Sequence, residues 1–303
     1  MALPNLTKED INKILVDTPV AVMGKPAKGG QKIVFPIKIN DELFAIKFML
    51  VNIPQSVEDE EGQIRILIDE VTARARREVK VIEKCQSPYL VKLGPIPLTS
   101  LDYKGQTLLY FTEQFIEGVD LRNIIIKKQK LSIKEIIRLG RNITEAIRVL
   151  WMCAKIHRDI KPGNIMRSKQ SGDFILLDLG LVLDLLDESL SKTGIVPGTL
   201  MYLSPDQIDL ARKRQMDFRS DIFSLGVVLY EAATGHHPFM TGVNNPTDII
   251  AKILDSKPPS PISLRSDLPI ELDNIIMRLL AKKPHLRYST CKQLDEALAA
   301  VRI

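Results

Sequence analysis

The chain has 303 residues, 45% of them hydrophobic and 26% charged, with a formal net charge of +5 and a mean hydropathy of +0.02. That length can bury one large core or two moderate ones, and the composition excludes a disordered chain. A pI near 9.0 with only 5% aromatic residues reads as a solvated basic surface, with no nucleic-acid module to make it a groove for DNA or RNA.

Cys85, Cys153 and Cys291 are odd in number and far apart, which fits reduced thiols and a cytoplasmic location rather than a disulfide framework. The first ten residues have no basic flank followed by an apolar run, so no secretory signal is expected. The most apolar stretch, residues 174–186, is broken by Asp178 and Asp184 and is too short to span a bilayer.

Thr7 with Asp10 three residues later predicts a capped helix over 7–15. Runs of Val, Ile and Phe then predict three antiparallel strands, 20–23, 32–39 and 43–49, with Asn40-Asp41 as the hairpin between the last two. Apolar residues Ile66, Leu67, Val71, Val79 and Ile82 among Arg and Glu predict one long amphipathic helix over 63–84. Strands are expected around 90–93 and 108–115, and Gly118 closes this strand-rich half. Ser132 caps a helix with Ile136, Ile137, Leu139, Ile143, Ile147, Leu150 and Trp151 on its buried face. Further helices are expected over 219–234, 247–255, 271–281 and 291–301. The resulting fold class is α+β, a small antiparallel sheet with one long helix followed by a mostly helical larger lobe.

The most informative stretch is His157-Arg158-Asp159-Ile160-Lys161-Pro162-Gly163-Asn164, followed by Asp178-Leu179-Gly180. Phosphoryl transfer from a metal nucleotide needs groups that hold the metal, grip the phosphates and orient the acceptor hydroxyl. Asp178, emerging from an apolar strand, is placed to bind Mg²⁺, and Asn164 offers a second, neutral oxygen. Asp159 is then free to accept a hydrogen bond from the acceptor, and Lys161 to neutralise charge on the moving phosphoryl group.

These segments resemble the eukaryotic-type serine/threonine protein kinase family, over nearly the whole chain from about residue 17. The bilobal kinase fold would place a short extension at 1–16, the N-lobe at 17–115 and the C-lobe at 116–303. Phe44-Ala45-Ile46-Lys47-Phe48 is similar to the third-strand lysine segment, which implies that Lys47 contacts the α- and β-phosphates. Glu78 resembles its helical ion-pair partner. Tyr202-Leu203-Ser204-Pro205-Asp206 after Gly198-Thr199 resembles the end of an activation segment, which implies a pair between Asp206 and Arg287. Arg219-Ser220-Asp221-Ile222-Phe223-Ser224-Leu225-Gly226 completes the match. Lys161 and Thr199 together resemble kinases acting on serine and threonine, so protein substrates with those hydroxyls, ATP, and Mg²⁺ or Mn²⁺ are the implied partners.

The resemblance also implies a nucleotide pocket lined by Gly24, Gly29, Gly30, Ala45, Lys47, Gln114 and Met166, with either Thr112 or Glu113 at its back. The glycine loop departs from the family pattern: Ala27 stands at the second glycine, while Lys25 and Lys28 add positive charge. Leu179 replaces the usual Phe, a change in a packing residue. Thirty residues separate Lys47 from Glu78, which implies an N-terminal extension of the long helix. Arg158 and Arg74 are expected to receive a phosphate on the activation segment, at Ser189, Ser191 or Thr193, placed there by autophosphorylation. The rival readings are a pseudokinase scaffold, favoured only by the altered glycine loop, and a small-molecule phosphotransferase, which the 198–206 segment and Arg287 argue against.

Overall fold

The structure is a computed structural model. It describes residues 6–16, 18, 20–28, 32–50, 61–104, 106–181, 183–184, 200–209, 216–243 and 245–303, with the side chains of 50, 61–70, 106, 181, 183, 184 and 246 excepted. The chain divides into two units, Met1–Lys84 with Val91–Ile116, and Cys85–Leu90 with Glu117–Ile303.

The smaller unit contains α1 (Lys8–Ile14), β1 (Val20–Val22), β2 (Ala27–Lys28), β3 (Lys32–Ile39), β4 (Glu42–Leu50), α2 (Glu61–Lys84), β5 (Thr99–Tyr103) and β6 (Gln106–Gln114). Its sheet runs β1-β3-β4-β6-β5, with β2 also paired to β3. The turn between β3 and β4 has φ of 48° at Asn40 and 69° at Asp41, the left-handed region that a two-residue hairpin requires and that these residue types tolerate. Side chains alternate along β3, where Ile33, Phe35, Ile37 and Ile39 are buried.

Strand register carries that alternation across the sheet: Ile33 lies opposite Phe48 and Phe35 opposite Ile46, which in turn lies opposite Thr112. This face packs Ile33, Phe35, Ile37, Ile46, Phe48, Leu108 and Tyr110 together with Leu6, Ile11, Ile14 and Leu15. The N-terminal helix is therefore part of the sheet's core. Its Thr7 cap forms the expected capping box with Asp10.

One expectation is corrected in this unit. Residues 90–93 form only isolated bridges, Leu90 with Leu176 and Leu93 with Glu113, because the segment passes from one unit to the other between residues 90 and 91. The strand that covers β6 is instead β5, whose half-buried Thr99, Leu101 and Tyr103 alternate with exposed polar residues.

The larger unit contains β7 (Gly118–Asp120), α3 (Leu121–Ile126), α4 (Ile133–Met152), β8 (Lys155–Ile156), β9 (Ile165–Ser168), β10 (Phe174–Leu176), β11 (Leu183–Asp184), α5 (Pro205–Ile208), α6 (Arg219–Thr234), α7 (Pro246–Asp255), α8 (Ile270–Leu279) and α9 (Cys291–Ala299). Gly118 begins β7 rather than ending the sheet of the smaller unit. A Cβ there would sit 1.9 Å from the Arg167 carbonyl oxygen, so the β7–β9 pairing requires glycine.

α4 carries the capping box of Ser132 and Glu135 and buries Ile136, Leu139, Ile143, Ile147 and Leu150 against α6, α9 and β10. Trp151 departs from the expected buried stripe: it is 37% exposed and lies 5.3 Å from the Phe218 ring at the end of the helix. α6 is buried on nearly every side, which explains why Arg219 to Thr234 reads as an apolar run without a polar face. All three cysteines are free thiols. No helix among the described residues is long and apolar enough to cross a membrane.

Candidate active site

In the smaller unit the period of two along the strands places Lys47 on the face opposite the apolar cluster. Val34 and Phe111 lie opposite Lys47, and Glu113 lies opposite Ala45, so Lys32, Val34, Ala45, Lys47, Phe111 and Glu113 share that face. On α2 the buried residues Ala75, Glu78, Val81 and Ile82 follow helical spacing, with a carboxylate among them. Lys47 Nζ donates to Glu78 Oε1 at 2.8 Å, the expected ion pair. It also donates to Glu113 Oε1 at 2.7 Å, and Lys32 Nζ donates to Glu78 Oε2 at 2.9 Å. Burial pushes the Glu113 carboxyl above its ordinary range, while the adjacent Lys47 ammonium pulls it back toward the ionised form.

The same periodicity separates Thr112 from Glu113. The Thr112 hydroxyl accepts from the Ile96 backbone N–H at 2.8 Å and donates to the Ile96 carbonyl, on the apolar side of the sheet. Gln114 ends β6, exposed, with its backbone N–H donating to the Lys92 carbonyl at 2.8 Å.

In the larger unit the loop after β8 is held by α6. Both oxygens of the Asp221 carboxylate accept backbone N–H groups, from His157 at 2.7 Å and from Arg158 at 2.9 Å. Gln207 Nε2 donates to the Arg158 carbonyl at 3.0 Å. Arg158 has φ of 69°, a backbone conformation that persists only where its surroundings over-determine it. Burial raises the Asp221 carboxyl, and the His157 and Arg158 N–H groups together with the Arg158 charge oppose that rise.

His157 is buried, with its Nδ1 accepting the Asp159 N–H at 3.2 Å. That assigns the remaining ring proton to Nε2, 3.3 Å from the Leu177 carbonyl. The imidazole thus ties the loop after β8 to the segment leading into Asp178.

Asp159 is itself buried. Its two carboxylate oxygens each accept from Lys161 Nζ at 2.8 Å, and Oδ2 also accepts from Asn164 Nδ2 at 2.9 Å. Asn164 Nδ2 makes a further bond to the Asp159 carbonyl. Both amide protons are therefore spent on Asp159, which leaves the amide oxygen as the donor atom for a cation. Asp178 follows β10 with φ of 58°, and its Oδ1 accepts from the Gly180 N–H at 3.3 Å. A carboxylate plus an amide oxygen is a donor set suited to a hard divalent ion such as Mg²⁺. Met166 lies on β9 opposite Ile175.

A family model for the protein kinase domain matches residues 29–298. The chain belongs to the protein kinase family. It is 34% identical over 240 residues to the serine/threonine-protein kinases PknB of Mycolicibacterium smegmatis and Mycobacterium tuberculosis, covering 75% of this chain and 36% of theirs. A probable serine/threonine-protein kinase of Clostridium perfringens is 30% identical over 235 residues, 77% of this chain and 32% of its own length. The chain spans about a third of the length of these curated relatives.

Within the kinase domain the implied pair of Asp206 and Arg287 is present, with Arg287 Nη1 donating to Asp206 Oδ2 at 2.6 Å. Leu179 is fully buried. Gly24 has φ of 55°, and Ala27 and Lys28 pair with Val34 and Ile33 as β2. Gly29, Gly30, Ser189, Ser191, Thr193, Gly198 and Thr199 lie outside the described residues, as do the side chains of Ile66, Leu67 and Leu181. Arg74 is half-buried on α2, one turn before Glu78.

Three kinase residues escaped sequence reasoning in their structural roles. Asp221 was legible only as part of a motif, although a lone Asp in an otherwise apolar helix signals a buried acceptor. Lys32 and the contact of Glu113 with Lys47 depend on strand register, which no short motif encodes.

Proposed function

We propose that this chain is an ATP-dependent serine/threonine protein kinase whose catalytic domain runs from about residue 17 to 303. The observation that carries this reading is the Asp159 carboxylate, buried and held from two sides by Lys161 and Asn164. A carboxylate fixed in that way can accept a hydrogen bond from an incoming hydroxyl without reorganising.

In the proposed reaction the hydroxyl oxygen of a substrate serine or threonine forms a bond to the γ-phosphorus as the bond to the β,γ-bridging oxygen breaks. The hydroxyl proton passes to Asp159, and ADP leaves. Lys161 supplies positive charge beside the transferring group. Lys47, fixed by Glu78, grips the α- and β-phosphates under the glycine loop, while Ala45, Gln114 and Met166 hold the nucleoside. Asn164 and Asp178 would hold Mg²⁺ or Mn²⁺. Bound there, the ion supplies charge neutralisation on the phosphate oxygens.

The PknB relatives are named as serine/threonine kinases, and Lys161 two places after Asp159 supports that acceptor class here. Arg158 and Arg74 are the basic residues assigned to receive a phosphate on the activation segment.

Incubation with Mg-ATP and a generic acceptor, with phosphate mapped by mass spectrometry, tests the reading. Asp159→Asn is expected to lower transfer by about 10²- to 10⁴-fold while nucleotide still raises the melting temperature. A mutant that keeps most of its activity refutes the role of Asp159. Nucleotide binding without transfer in the wild type favours a pseudokinase.

A further inference from the structure

Among the described contacts two buried carboxylates hold Lys47, Glu78 of the expected pair and Glu113. Glu113 contacts the same Nζ at 2.7 Å, slightly closer than the 2.8 Å to Glu78. Lys32 contributes a second ammonium to Glu78, with 12% side-chain exposure against 5% for Lys47 and 6% for Glu113. Lys32, Lys47 and Glu113 thus share one face of the sheet, with the Glu78 carboxylate of α2 against it and Lys47 over the Phe111 ring at 5.4 Å.

An ammonium bound to a carboxylate in a poorly solvated site attracts a second anion less strongly than one whose partner is neutral. The anion expected at Lys47 is a nucleotide polyphosphate. Glu113 lies opposite Ala45 on the neighbouring strand, on the same face as Lys47, so its charge acts where that anion would arrive. Lys32 offsets Glu78, which leaves Glu113 as the carboxylate that draws on Lys47 from the β6 side.

We propose that Glu113 is a positioning residue that competes with the nucleotide phosphates for Lys47 and thereby holds down the affinity of this kinase for ATP. This rests on the reading of Lys47 as the phosphate-gripping lysine. The contact fixes the lysine in the absence of nucleotide, at the expense of its charge toward phosphate. Substituting a neutral side chain at 113 releases that charge. The effect must scale with the phosphates of the ligand and be absent for the nucleoside, a distinction that a purely packing role for Glu113 does not make.

The test is calorimetric binding of ATP and of adenosine, in magnesium buffer without acceptor, to wild type, Glu113→Gln and Lys47→Met. Glu113→Gln should bind ATP about tenfold more tightly, the order expected for removing one carboxylate beside a multiply charged ligand in a partly screened site. Adenosine affinity should stay within about twofold, a difference that measures no lost charge interaction. Unchanged or weaker ATP binding with adenosine unaffected overturns the proposal, and so does equal weakening of both ligands. Lys47→Met should lose the advantage of ATP over adenosine. If it does not, the reading of Lys47 fails, separately from that of Glu113. Should Glu113→Gln not fold, Glu113→Met, also neutral and close in size, must show the same ATP-selective gain, and its absence refutes the proposal.

Discussion

Replacing Arg287 with methionine should destabilise the larger unit severely, and the structure sets the scale. The Arg287 side chain is 0% exposed and that of Asp206 5% exposed. Nη1 donates to Asp206 Oδ2 at 2.6 Å and to the Arg219 carbonyl at 2.7 Å, and Nε donates to the Ala281 carbonyl at 2.8 Å. The guanidinium also lies 5.0 Å from the centre of the Phe223 ring.

Asp206 Oδ1 has no hydrogen-bond partner among the described residues, so the buried carboxylate depends heavily on this one cation. Burial lowers the Arg287 guanidinium from its ordinary value and Asp206 opposes the shift, a sign that desolvation consumes much of the pair's Coulomb energy. The cost of breaking the pair therefore comes from the stranded charge and the orphaned carbonyls, about 3–5 kcal/mol. That is a large share of a domain's stability of about 5–15 kcal/mol.

Urea unfolding followed by the fluorescence of Trp151, the single tryptophan and part of α4 in the same unit, measures the loss. Asp206→Asn alone should also destabilise, by stranding the guanidinium. The double variant should be less destabilised than the sum of the two by about 2 kcal/mol, a coupling of the size found for contacting charges. A loss under about 1 kcal/mol for Arg287→Met, or additivity in the double variant, would refute the argument.

Two further outcomes follow from groups outside the catalytic residues. Asp10 accepts from the Thr7 N–H and hydroxyl, the Tyr103 hydroxyl and Lys104 Nζ, so Asp10→Ala should cost about 2 kcal/mol and raise amide exchange in α1, whereas a loss below about 0.5 kcal/mol counts against the network. Lys104, then Tyr103, hold that carboxyl well below its ordinary value, so its contribution is full above the unfolded carboxylate range and is lost as acid protonates it. His237 behaves oppositely to a His with an acidic partner: burial lowers it to about 4, and its Nε2 lies 3.0 Å from the Met201 carbonyl while Nδ1 accepts the Phe239 N–H. Because the unfolded imidazole protonates first, its stabilisation is complete above about pH 6.5 and falls toward pH 4, by on the order of 2–3 kcal/mol. Urea unfolding at stepped pH should show that slope in the wild type and not in His237→Asn.

The elements with strong local signals were legible in the sequence. Thr7 with Asp10 and Ser132 with Glu135 announced their helices because a capping box satisfies backbone N–H groups within a single turn. The Asn40-Asp41 hairpin was equally local, as was the alternation in β3. The catalytic loop could be read from residues 157–164 because its groups must lie within a few residues of one another to meet at Asp159.

Contacts between distant segments had to await the fold. The sequence left Thr112 and Glu113 undecided, since one residue of register exchanges the two faces of a strand and only the pairing of Ala45 with Glu113 assigns them. It did not place α1 against the sheet, nor Asp221 beneath the His157 and Arg158 amides 63 or more residues away in the chain. Composition, capping and motif spacing determined most of the elements and marked the candidate residues for the chemistry. Tertiary structure decided which buried charges share a partner, because a charge removed from water is stabilised by whatever the fold brings within hydrogen-bonding distance, however far away it lies in sequence.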